Sequence, residues 1–169
     1  MAIPDRSATR LAIDLDALAN NWRSLKVRAG TADCAGIVKA NAYGLGAERV
    51  APALWDAGCR RVFTANLDGA LAVRGWLPDA DVYVLNGLLS DTNAYVEGHV
   101  VPVLNDLSQV ERWATCAHRH ERKLPAILHT DTGMNRLGLP CEEINALLAK
   151  PEWLDALDLH FIMTHMACA

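Results

Sequence analysis

Short apolar runs alternate with stretches whose apolar residues recur at helical spacing, and this alternation limits the fold more than any other feature of the chain. Cys34–Val38, Arg61–Thr64, Asp81–Leu85, Val100–Leu104, Leu124–His129 and Leu157–Met163 read as six strands. Pro102 weakens one of them, because proline has no N–H for a ladder. Between them lie helical stripes: Val50, Leu54 and Ala57 before Gly58; Leu67, Ala70 and Leu71 behind Asn66; Leu107, Val110, Trp113, Ala114 and Ala117 behind Asn105 or Asp106; Ile144, Leu147 and Leu148 within Cys141–Ala149. Strands that alternate with helices form βα units with parallel pairing, in a barrel or in an open sheet. Periodicity does not choose between the two.

Ahead of these units, Leu11–Asp14 reads as a short leading strand. A helix follows, capped by Asp14 or Asp16, striped by Leu18, Trp22 and Leu25, and stopped by Gly30. No low-complexity linker divides the chain. With 169 residues, 51% of them apolar, it can bury a core of domain size, whereas a complete (β/α)8 barrel typically takes about 250 residues. The last strand, Leu157–Met163, is followed only by Thr164–Ala169, so the sequence reads as cut off before the helix that would cover it.

The formal net charge of -4 and pI near 5.8 give no electrostatic footprint for nucleic acid or an anionic membrane, and point to small neutral or zwitterionic partners. Cys34, Cys59, Cys116, Cys141 and Cys168 are odd in number and lack metal or redox spacing, so they read as reduced, mostly buried thiols. Met1–Arg6 carries no apolar signal region and nothing later resembles a membrane span; a cytoplasmic location is expected.

Chemistry concentrates where strands end. Lys39 follows the first βα strand and precedes the glycine-rich Tyr43-Gly44-Leu45-Gly46, which leads into a helix near Ala47. Lysines at strand ends are commonly solvated surface groups. Apolar residues before Lys39 and small ones after it would desolvate the amine, which is how a lysine becomes a Schiff-base nucleophile. A second cluster, His129-Thr130-Asp131-Thr132-Gly133-Met134-Asn135-Arg136-Leu137-Gly138, also follows a strand and so faces the same end. Arg136 offers planar donors for a carboxylate, a phosphate or a phenolate oxygen, although Asp131 and Arg136 can also be read as a weak surface ion pair. His165 at the end of the last strand reads, by itself, as a core histidine bonded to a carbonyl; His118 and His120 read as solvated rather than metal-binding.

Taken together, Val38-Lys39-Ala40-Asn41-Ala42-Tyr43-Gly44-x-Gly46, Asp131-Thr132-Gly133-Met134-Asn135-Arg136-Leu137-Gly138 and Met163-Thr164-His165-Met166-Ala167 closely resemble the alanine racemases. Ala12-Ile13-Asp14-Leu15-Asp16-Ala17-Leu18, followed by Asn21, matches that family's opening segment. The resemblance spans essentially the whole chain, in order. It implies the family's pyridoxal 5'-phosphate-binding (β/α)8 TIM-type barrel, present as its first roughly six βα units. Residues 1–169 are then a partial amino-terminal barrel domain, with 1–14 a leading strand segment and 34–169 the βα units.

The resemblance also implies roles. Lys39 is the lysine that holds the cofactor and the base on one face of the substrate, as it is for the D enantiomer in the family. Tyr43 reaches the cofactor phosphate, Arg136 binds the cofactor phenolic oxygen and the substrate carboxylate, and His165 lies beside the cofactor ring. The implied activity is interconversion of L- and D-alanine for peptidoglycan, by a homodimer. The family's opposite-face acid/base is a tyrosine of a carboxyl-terminal β domain, which this sequence does not contain; Tyr43, Tyr83 and Tyr95 do not replace it. His129 stands where many members have a lysine that fixes the arginine, and Leu45 where a histidine is usual.

Three other readings compete. One is a catalytically incompetent fragment of an alanine racemase, with an open sheet edge that drives association. Another is a related barrel-type decarboxylase or aldolase. The third, from Asp131-Thr132-Gly133, is an aspartic protease, which requires paired carboxylates in an all-β fold.

Overall fold

The computed structural model describes residues 11–167. Six strands, β1 (Gly36–Ile37), β2 (Arg61–Thr64), β3 (Asp81–Val84), β4 (Val101–Leu104), β5 (Leu124–His129) and β6 (Leu157–Met163), form one sheet in chain order. Every neighbouring pair is parallel. This order decides what periodicity left open. Right-handed crossovers that always step in the same direction put every helix on the same face, as in a barrel, whereas a doubly wound sheet reverses its order part-way. A parallel α/β sheet also removes the aspartic-protease reading.

The helices are α1 (Leu15–Ala29), the short turn α2 (Lys39–Tyr43), α3 (Ala47–Asp56), α4 (Leu67–Trp76), α5 (Asn93–Glu97), α6 (Leu107–Arg119), α7 (Cys141–Leu148) and α8 (Pro151–Asp155). Their starts are set by side chains that accept otherwise unpaired N–H groups. Asp14 accepts from Ala17 N at 2.9 Å, Asn66 from Gly69 N at 3.0 Å and Asp106 from Gln109 N at 2.8 Å. Gly30, at φ 62°, ends α1.

Alternation along the strands divides the apolar side chains into two clusters. Val62, Val82, Leu104, Leu124 and Leu128 face the helices and pack with Val50, Leu54, Val73, Val110 and Trp113. Tyr83, Val101, Val103 and Ile127 face the other way, with Phe63, Leu85 and Met163 packed on them. The second cluster is the interior of the incipient barrel. Each fully buried aliphatic or aromatic side chain in these clusters stabilises the fold by roughly 1.5–3 kcal/mol.

Several expectations change. Leu11–Asp14 is not a strand: Leu11 and Ile13 are exposed, and without a neighbour to share hydrogen bonds an extended segment stays outside the sheet. The rest of the proposed leading segment, residues 1–10, and the Met1–Arg6 terminus lie outside the described residues. The first βα strand contracts from Cys34–Val38 to Gly36–Ile37. Leu25, Leu71 and Leu148 are exposed, because each helix buries a narrower stripe than its apolar count. Pro102 is tolerated where β4 changes partners: Val101 and Pro102 pair with β3, Val103 and Leu104 with β5. Cys59 and Cys116 are buried free thiols, but Cys34 is half-buried and Cys141 exposed; Cys168 lies outside the described residues. Beyond Leu157, β6 leaves Leu159, Phe161 and Ile162 exposed. Among the described residues no helix is long and apolar enough to cross a membrane.

Candidate active site

Lys39, Tyr43, Arg136 and His165 line one cavity of about 610 Å³, together with Ile37, Phe63, Leu85, His129, Met163 and Thr164. The strand-end residues among these come from the carboxyl ends of β1, β2, β3, β5 and β6, the end at which barrel proteins build their sites. Residues more than a hundred positions apart in sequence are therefore neighbours because a parallel sheet aims all its strands the same way.

Lys39 is held by backbone. Val38 is buried, and its N–H donates to Phe63 O at 2.9 Å, which extends the β1–β2 ladder to the residue before the lysine. The chain then makes a left-handed helical turn: Ala40, Asn41 and Ala42 have φ of 50–54° and ψ of 47–48°, and Tyr43 follows at φ 55°. For residues with a Cβ this conformation costs roughly 1–2 kcal/mol each. It is stabilised by Ala42 N to Val38 O at 2.9 Å, by Gly44 N to Ala40 O at 3.0 Å, and by the Asn41 side chain, which accepts from Ala47 N at 2.8 Å at the start of α3. Lys39 is half-buried and Tyr43 exposed on the same turn.

The loop after β5 is held by a carboxylate. Leu139 N donates to His129 O at 2.8 Å and Asp131 N to Leu139 O at 2.9 Å, closing the loop at its base. Inside it, Asp131 Oδ1 accepts from Asn135 N at 3.1 Å and Gly133 N at 3.0 Å. These N–H groups hold the Asp131 carboxyl below its ordinary value. Asp131 is thus engaged with the backbone, and no ion pair joins it to Arg136 among the described residues. The Arg136 side chain is exposed and lines the cavity. Thr132 and Thr164 share a hydrogen bond of 2.6 Å between hydroxyls, tying this loop to the residue before His165. His165 is exposed at the cavity, not a core histidine. His118 and His120 are exposed on α6 and just beyond it, and His120 Nε2 lies 3.3 Å from Asn93 Oδ1.

His129 is 4% exposed, and its Nδ1 lies 2.7 Å from Asn105 Oδ1. Burial pushes its pKa below the ordinary value, against the opposing pull of the Asp131 carboxylate. Asn105 escaped the sequence reading, which took it as one of two possible caps. The signal was the adjacency of Asn105 and Asp106: one cap suffices, and Asp106 supplies it.

The remaining tyrosines are occupied within the fold. Tyr95 donates to Gly87 O at 2.8 Å, and Tyr83 OH lies 3.2 Å from His160 Nδ1, with its pKa pushed up to about 12, chiefly by burial.

The family model described as "Alanine racemase, N-terminal domain" matches residues 13–169. The chain belongs to the alanine racemase family. It is 49% identical over 173 residues to an alanine racemase of Rhodospirillum rubrum, covering all of this chain and 46% of that protein. An alanine racemase of Brucella abortus is 49% identical over 160 residues, 93% of this chain and 40% of the relative. Among solved structures, the Bartonella henselae alanine racemase with covalently bound pyridoxal phosphate superposes with a TM-score of 0.87 at 38% identity. That match covers 92% of this chain and 44% of the other. The Bacillus anthracis alanine racemase with bound L-Ala-P gives 0.80 at 29% identity, over 92% of this chain and 41% of the other. The chain thus spans less than half the length of the alanine racemases it matches, and its six strands correspond to part of their barrel domain.

Proposed function

We propose that this chain builds the cofactor-holding half of an alanine racemase site, in which pyridoxal 5'-phosphate is bound through Lys39 and L- and D-alanine are interconverted, supplying D-alanine for peptidoglycan. The observation that carries this reading is the convergence of Lys39, Tyr43, Arg136 and His165 on one cavity in a chain of this family.

The lining suits that cofactor. An amine, a phenol, a guanidinium and an imidazole offer a covalent anchor and donors for anionic oxygens, while Ile37, Phe63, Leu85 and Met163 supply apolar walls for a ring. Tyr43 and Arg136 would hold the anionic groups, Arg136 also binding the carboxylate of alanine. When bound, the cofactor supplies an electron sink for negative charge developing at the amino-acid Cα.

The chain's own contribution is position and proton transfer. The left-handed turn fixes where the Lys39 stem begins, so its Nζ can accept the Cα proton of alanine from one face and return it there. Inversion needs a second acid/base on the other face. Tyr83 and Tyr95 are committed elsewhere, and Tyr43 stands on the same turn as Lys39. By the family resemblance, the opposite proton would fall to a tyrosine of a carboxyl-terminal domain, contributed by the second subunit of a homodimer.

Deuterium exchange at Cα tests this division. With pyridoxal phosphate added, the protein is expected to exchange the Cα hydrogen of D-alanine in deuterated water with retained configuration, and Lys39→Ala to abolish it. Exchange that persists in Lys39→Ala, or that favours L-alanine, would contradict the assignment.

A further inference from the structure

The strand β6 changes the face it presents part-way along its length. Leu157 packs in the helix-facing cluster, and Leu159 pairs with Ala126 of that cluster. Met163 instead packs in the interior cluster and lines the cavity. Side chains alternate along a strand, so Leu157 and Met163, six positions apart, would share a face unless the count were broken between them. The ladder shows where it breaks. Ala126 pairs with Leu159, but the next residue, Ile127, pairs with Phe161, and His160 has no partner across the ladder. His160 is the extra residue of a β-bulge. It turns Phe161 and Met163 inward and delivers the chain to Thr164 and His165 at the cavity.

Burial does not hold this register. Phe161, Ile162 and Met163 are all apolar, so a slip of one residue would send Ile162 inward in place of its neighbours and turn the following side chains to the other face. Bulges are also rare in parallel pairs. What opposes the slip reaches His160 from across the concave side of the sheet, since β4 and β5 separate β3 from β6. Tyr83 of β3 is buried and places its hydroxyl 3.2 Å from His160 Nδ1. Its ring also meets that of Phe161, at 6.0 Å between centroids. On the other side of the imidazole, Asp158 Oδ2 lies 3.8 Å from Nε2. This layer adjoins the site: Tyr83 stacks on Phe63 at 4.7 Å, and Phe63 lines the cavity.

We infer that His160 is a positioning residue: its hydrogen bond with the Tyr83 hydroxyl pins the bulge of β6 and so fixes which side chains that strand sends into the cavity, His165 among them. For its effect on ligand binding the inference rests on His165 as part of the proposed cofactor site. For the register of β6 it rests on the fold alone.

Cross-strand proton–proton contacts in NMR spectra report that register without any ligand. In the wild-type protein Ile127 is expected opposite Phe161, with His160 opposite no residue. Tyr83→Phe keeps the stacked ring and removes the hydroxyl. It should populate a second register, with Ile127 opposite His160, and weaken pyridoxal phosphate binding about fivefold, the scale of one neutral hydrogen bond. A single unshifted register with unchanged affinity would overturn the inference.

Deleting His160 from Tyr83→Phe supplies a rescue that a merely structural role would not give. Without the extra residue, Leu159 and Phe161 keep their partners on a regularly alternating strand, and no anchor is needed. The double variant should show one register and bind pyridoxal phosphate within about twofold of wild type. A double variant that binds no better than Tyr83→Phe would overturn the inference. If pyridoxal phosphate fails to bind the wild-type protein, the proposed function falls, and the register spectra of the three proteins still decide this inference. A second register that appears in Tyr83→Phe and vanishes on deletion supports it, and any other pattern overturns it.

Discussion

The Lys39 turn and the Asp131–Gly138 loop both follow strands, both reach the same cavity and are held by different means. The first depends on main-chain bonds: left-handed residues, carbonyls of the same turn and one asparagine cap on α3. The second depends on ionisable side chains, with Asp131 accepting two loop N–H groups and the His129 ring lying beneath Gly138. Lys39 is thus fixed by geometry that pH does not alter. The loop that carries Arg136 is held by a carboxylate that titrates. Chemistry and stability should separate at the first loop and move together at the second.

The largest effect expected is at Lys39. Lys39→Ala should eliminate the absorbance of bound pyridoxal phosphate, while thermal denaturation shows stability within about 1 kcal/mol of wild type, because a half-buried lysine contributes little packing. A large stability loss would erase the contrast between the loops. Gly138→Ala should be the most damaging change in the second loop. At φ 108°, with Asp131 N 2.8 Å from the added carbon, it is expected to cost about 1–3 kcal/mol in chemical denaturation and to weaken pyridoxal phosphate binding by displacing Arg136.

Smaller effects sharpen the contrast. Asn41→Ala loses the cap on Ala47 N and adds strain at φ 53°, for a loss of about 1–2 kcal/mol. Asn41→Gly keeps the left-handed turn and should lose less. Equal losses would mean that the left-handed conformation carries no strain.

The smallest effect is the shape of the acid limb. Both carboxyl and imidazole have folded pKa values below their ordinary ones, so each stabilises the protein above its unfolded value and loses that contribution as pH falls. The His129 contribution should start to fade as pH falls past 6.5, and the Asp131 contribution only below 3.8. Asp131 raises the His129 pKa, while burial, His165 and Arg136 lower it. The thermal midpoint against pH should therefore fall in two stages, with the upper one missing in His129→Gln and the lower one missing in Asp131→Asn.

The two loops also differ in how much the sequence reveals. The six strands and the caps, with Asp14 and Asp106 each one of two candidates and Asn66 alone, follow from local patterns, because alternation and capping are short-range physics, whereas the spatial order of the strands does not. Lys39 stands out at the end of an apolar strand and Arg136 in the polar loop that follows another. The left-handed turn is not legible: Ala40 and Ala42 are strong formers of right-handed helix, and only the constraint from β1 on one side and α3 on the other overrides that preference. Asn105 is hidden for a different reason. Its partners, Leu85 just past β3 and His129 at the end of β5, flank β4 on either side, and only the parallel register brings them together. Leu11–Asp14 shows the opposite error, since alternation without a neighbouring strand does not form a sheet.

The central claim is that Lys39 is the covalent anchor of the cavity. Reducing the protein with borohydride in the presence of pyridoxal phosphate, followed by peptide mapping, tests it directly. The account predicts pyridoxyl label on Lys39 and none on Lys26, Lys123 or Lys150. Label on another lysine, or no label while pyridoxal phosphate is demonstrably bound, would contradict it.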